Sequence, residues 1–82
     1  MKAGNSTFAH LEADILAAHE RGARTSELAR LYRQGGDLHL AAGRTDEAYF
    51  AYTQAYVYAL DAGLEAEVAH LLALLRNDGR ET

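Results

Sequence analysis

The chain has 82 residues, with no cysteine and no proline, and its eight basic against 12 acidic side chains leave a net charge of −4. That balance argues against nonspecific nucleic-acid binding and against docking on anionic membranes, both of which need Lys and Arg in excess. Without cysteine there is neither a disulfide nor a thiolate metal site, and a core this small supplies only a few kcal/mol of net stability, so self-association is an expected aid to folding.

Abundant alanine and leucine without proline predict an all-α fold, read here as four helices in a single domain over residues 1–82. The first helix is predicted from about Ser6 to Arg21, with Phe8, Leu11, Ile15 and Ala18 on one face. Asn5 or Ser6 is its expected N-cap and Gly22 its left-handed stop. Glu12 and Asp14 interrupt the apolar run and no basic segment leads into it, which speaks against a signal peptide.

The second helix follows Thr25 or Ser26 as N-cap and ends at Gly43, with Leu28, Leu31, Tyr32, Gly35, Leu38 and Ala42 as its stripe. Thr45 is the expected cap of the third, which carries Asp46 and Glu47 in its first turn, continues through Leu60 and stops at Gly63. The fourth runs from about Glu65 to Asn77, with Val68, Leu71, Leu72 and Leu75 on one face and Gly79 beyond its end. Val68 to Leu75, the most apolar stretch, is too short to span a bilayer, and a cytoplasmic protein is the expectation. The connections are short, so neighbouring helices should pack antiparallel, and glycine stops about every twenty residues point to stacked helical hairpins.

The third helix is apolar nearly all round, with Gln54 and Asp61 its only polar strip. At about 100° per residue, Ala48, Tyr52, Ala55 and Ala59 form one face, Tyr49, Tyr56 and Leu60 a second, and Phe50 with Val57 a third. Three other short helices can hardly enclose such a helix. Either its tyrosines reach solvent by their hydroxyls, or Tyr49, Phe50, Tyr56, Val57 and Tyr58 form a protein interface. A twofold homodimer is then the expected arrangement.

Tyr32, the pair Gly35 and Gly36, Gly43, Ala48, Tyr52 and Ala55 are spaced so that Ala29 to Ala62 resembles a tetratricopeptide repeat, a unit of about 34 residues. The first and fourth helices flank that repeat without reproducing it. The resemblance implies a hairpin whose second helix approaches the first closely at the small residues. Physics gives the same expectation, because two glycines inside a helix cost about 1 kcal/mol each relative to alanine and need a packing reason. In tetratricopeptide proteins the outer side of the repeat's first helix lines a peptide groove, sometimes clamping a terminal carboxylate with basic side chains. By that resemblance Arg30, Arg33, Asp37 and Leu40 form a candidate peptide-binding face, with Arg30 and Arg33 as donors and Asp37 a departure. The alternative is a solvated face in which Arg33 and Asp37 pair at i,i+4.

Four histidines raise a metal site and do not carry it. His10 and Asp14 share one side of the first helix, and His19 projects to the other. His19 and His39 are expected near opposite ends of the first two helices. His39 is read as a half-buried histidine bonded to backbone or tyrosine, and His10 and His70 as surface residues. Ser6 and Ser26 are explained by helix starts, and Gly35-Gly36 lacks the lysine and strand of a phosphate loop. No catalytic residue, metal or cofactor is expected. The reading is a non-catalytic adaptor or assembly module that binds protein, itself or another. The alternatives are a small-molecule-binding bundle and an accessory subunit of a larger enzyme.

Overall fold

A computed structural model of the chain describes residues 3–77, with side chains from Ala9 to Asn77. It contains four α-helices, α1 (Ala3–Glu20), α2 (Thr25–Ala41), α3 (Thr45–Ala62) and α4 (Glu65–Asn77), and the described residues form no strand. The all-α expectation holds. Helix α1 starts earlier than expected, which places Asn5 and Ser6 inside it rather than at its cap. The side chains of Asn5, Ser6 and Phe8, and all of Gly79, lie outside the described residues.

The expected caps of α2 and α3 are displaced by one residue. Arg24 and Arg44 occupy the N-cap positions without side-chain cap bonds, so Thr25, Ser26 and Thr45 are first-turn residues. What starts these helices is backbone: the Arg24 carbonyl accepts from the Leu28 amide at 3.1 Å and the Arg44 carbonyl from Ala48 at 3.0 Å. Glu27 in α2, and Asp46 with Glu47 in α3, set negative charge against the positive end of the helix dipole.

The three stops share one device. Gly22, Gly43 and Gly63 adopt φ of 68°, 81° and 72°. Beyond each, an amide reaches back five residues: Ala23 to the Ala18 carbonyl, Arg44 to His39 and Leu64 to Ala59, at 2.9, 2.9 and 3.0 Å. This Schellman closure satisfies end carbonyls and turns the chain antiparallel.

Only consecutive helices bring Cα atoms within 8 Å of each other among the described residues, and α2 against α3 is the most extensive pairing. Ala48, Tyr52, Ala55 and Ala59, one face of α3, are all buried there. Gly36 makes the approach possible, because a Cβ on it would stand 2.5 Å from Tyr52 Cε1. Leu71 and Leu75 of α4 close the far side of this core, with Val68 packed against it. A second core joins Leu11 and Ala18 of α1 to Leu28 and Leu31 of α2, with Ile15 and Leu38 beside it. The expected stripes are therefore largely the buried ones, except that Ala42 is exposed.

The result is flat, 39 × 31 × 16 Å. Its radius of gyration, 12.7 Å, exceeds the ~11–12 Å of a compact domain this long.

Candidate functional site

Helices α2 and α4 do not pack backbone to backbone, and a groove of about 840 Å³ opens between them. Arg30, Arg33 and Asp37 line it from α2, and Glu65 and Glu67 from the start of α4. Arg33 is the tie across it: its Nη1 donates to both Glu67 carboxylate oxygens, at 3.1 and 3.2 Å. The i,i+4 contact with Asp37 is longer, 4.0 Å. Asp37 in turn accepts from the Tyr52 hydroxyl at 2.5 Å. Burial first, and this bond second, push the Tyr52 phenol far above its ordinary pKa. Leu40, further along α2, lies outside the groove's lining and is exposed. Two guanidiniums thus face three carboxylates, and the groove offers no net positive charge to an incoming carboxylate.

Helix α3 divides sharply. Tyr49 is only 9% exposed and belongs to the core, its ring edge-on to Tyr52 at 5.5 Å between centroids. Tyr56 and Tyr58 are half-buried against the cores. Phe50, Val57 and Leu60 are 67%, 52% and 52% exposed and form one stripe, with Thr53 between them. Of the five expected interface residues, Phe50 and Val57 are more than half exposed, Tyr56 and Tyr58 half-buried, and Tyr49 is enclosed by its own chain. Leu60, grouped by projection with Tyr49 and Tyr56, instead extends the exposed stripe.

A second groove, about 600 Å³, lies over α2 between α1 and the N-terminal half of α3. Its floor is Tyr32, Gly35 and His39; Leu11, Ile15 and Leu16 form one wall and Phe50 with Ala51 the other. Glu12, Asp46 and Glu47 border it. At one end His19 Nε2 and the Tyr32 hydroxyl are 2.9 Å apart. Tyr32 stacks on Tyr58 at 5.6 Å between centroids, and His19 meets Tyr58 at 6.1 Å. This His–Tyr–Tyr cluster joins the side chains of α1, α2 and α3 where the α1 and α3 backbones stay apart. Burial, and then the neighbouring Tyr58, raise the Tyr32 phenol pKa.

His39, expected to bond backbone or tyrosine, has an arginine partner, and the Tyr32 hydroxyl pairs with His19. His39 Nδ1 accepts from Arg44 Nε at 2.9 Å, because the α2 stop folds Arg44 back over the last turn. His19 and His39, expected at opposite ends of the helix pair, border one groove, since the His19 ring reaches along α2 to Tyr32. His10 and His70 are exposed. No group of three His, Asp or Glu side chains gathers for a metal among the described residues, and no described helix is long and apolar enough to cross a membrane.

Leu16, 61% exposed on the groove wall, is the surface residue that periodicity passed over. Its signal was its position one step off the Leu11–Ile15–Ala18 stripe, which turns a large apolar side chain to water. Comparison with known proteins gives no match: no family model, curated protein or solved structure is similar to the chain.

Proposed function

We propose that the chain is a non-catalytic protein-interaction module of tetratricopeptide-like build that associates through the outer face of α3, in the first instance as a twofold homodimer. The observation that carries this reading is the stripe of Phe50, Val57 and Leu60, three large apolar side chains more than half exposed on one side of one helix. They span about 15 Å along the helix axis. Surface apolar residues scattered singly need no explanation, but an aligned set marks a contact face. The hairpin of α2 and α3, closed at Gly36 on Tyr52, supports the tetratricopeptide-like part of the reading.

The test is absolute mass by light scattering across a dilution series, on the wild type and on a Val57→Glu/Leu60→Glu variant. The expected outcome is a wild-type dimer and a variant monomer of unchanged helicity, since both side chains are already exposed. A wild-type monomer at every concentration would remove self-association from the reading. A second reading, a small-molecule-binding bundle, draws on the groove over α2, whose ~600 Å³ falls in the usual range for ligand sites. Saturable uptake of a small molecule by the isolated protein would favour it.

A further inference from the structure

Resting on the protein-binding reading, we propose that the groove over α2, between α1 and α3, receives a helix of a partner protein that carries an apolar stripe flanked by lysines or arginines. Leu16 and Phe50 face each other from its two walls, 61% and 67% exposed. They belong to helices whose backbones never come within 8 Å, so the gap is open and only α2 floors it. Water covers apolar surface there that a ligand of matching polarity would release.

The border sets the sign of the charge. Glu12 stands on one wall and Glu47, beside Asp46, on the other, and among the described residues no Lys or Arg lines the groove. Arg44, the nearest basic side chain in sequence, donates to His39 at its end. An apolar floor between carboxylates selects an apolar ligand with positive flanks and rejects an acidic one.

Backbone chemistry sets the conformation. The walls are helices whose own N–H and C=O groups are paired, and no strand edge is available among the described residues. An extended peptide laid here would place its backbone polar groups against leucine and phenylalanine without partners. A helix brings its backbone hydrogen bonds with it. The groove's ~600 Å³ suits about four large apolar side chains, the anchors that i, i+3, i+4 and i+7 of one helix present.

The test uses the full chain and a synthetic helical peptide with a leucine stripe flanked by lysines, alongside the same peptide with glutamates in place of the lysines. The lysine peptide is expected to bind and the glutamate peptide to fail. Leu16→Ala and Phe50→Ala should each weaken binding on the order of tenfold. Glu12→Gln/Glu47→Gln should weaken it by a comparable factor and flatten its salt dependence. An Asp14→Asn/Glu20→Gln control, exposed but outside this groove, should change nothing.

Equal binding of the two peptides, or an equal loss in the control pair, would overturn the proposal in favour of general adhesion. Saturable binding of phenethylamine at Leu16 and Phe50 without peptide binding would overturn it in favour of a small-amine site. Light scattering on the same samples separates the two levels. A Val57/Leu60-dependent dimer that ignores the lysine peptide ends the groove proposal and leaves the interaction module standing. A monomer that binds neither peptide ends both.

Discussion

Gly36 lies directly against the Tyr52 ring, so close that a Cβ on Gly36 would fall 2.5 Å from Tyr52 Cε1 and 2.6 Å from Cδ1. Gly35, its neighbour, is under no such constraint: the nearest atom to a Cβ there is Leu11 Cδ2 at 3.8 Å, an ordinary contact.

The two glycines should therefore answer oppositely to the same substitution. Gly36→Ala forces Tyr52, which is fully buried, off the α2 surface and is expected to destabilise by about 1–3 kcal/mol. Gly35→Ala gains helix propensity and should stabilise by up to ~1 kcal/mol. Urea unfolding of both variants decides it, and equal shifts would refute the ring-on-glycine contact.

Tyr52→Phe keeps the packing and removes the bond to Asp37. A cost of about 1 kcal/mol is expected, against about 3–5 kcal/mol for Tyr52→Ala, which also opens a cavity. If the phenylalanine variant matches the alanine variant, the hydroxyl carries the stability rather than the ring.

Arg33 and Glu67 join α2 to α4 across half-exposed ground. A double-mutant cycle with Arg33→Met and Glu67→Gln should return a coupling of only about 0.5–1 kcal/mol, reduced further by salt. Its structural effect is local: amide exchange in α4 should quicken while α2 and α3 stay protected.

Alkali should unfold the protein for a definable reason. Burial raises the Tyr52 and Tyr32 phenol pKa values, so the folded state holds protons that the unfolded chain releases above about pH 10. Stability is full below that pH and falls as pH rises toward the folded values. The phenolate absorbance of Tyr32 and Tyr52 should appear together with loss of helicity. Tyr52→Phe should shrink the pH-dependent loss.

The four helices and their glycine stops were legible because they rest on local chemistry: periodic apolar residues, and a left-handed residue that only glycine adopts cheaply. The starts of α2 and α3 were misplaced by one residue, and α1 begins at Ala3 rather than near Ser6. Helices α2 and α3 start without a side-chain cap at the expected threonines: Arg24 and Arg44 hold the cap positions and their carbonyls take the first intrahelical bonds. On α3 the alanine face was legible, but the fates of Tyr49 and Leu60 were not. A helical projection gives direction without saying how far neighbouring helices reach, and the core shared by α2, α3 and α4 takes in Tyr49 while leaving Leu60 bare. The groove over α2 was hidden for a related reason. It is made by a separation between α1 and α3, and no residue spacing within either helix encodes that distance.

The 16 Å thickness of the molecule has a calorimetric consequence. Between Cα atoms this holds two helix layers and no more, since each helix is a Cα cylinder about 2.3 Å in radius and packed axes lie about 8–10 Å apart. Unfolding so flat a slab hydrates less new apolar surface per residue than unfolding a globule of the same length does. The heat-capacity increment should therefore lie below the usual ~12–15 cal/mol/K per residue, and the denaturant slope should be correspondingly shallow. The isolated protein would then melt broadly, with a stability curve that varies little across ordinary temperatures. A ligand that thickened the slab would sharpen the transition and steepen that curve.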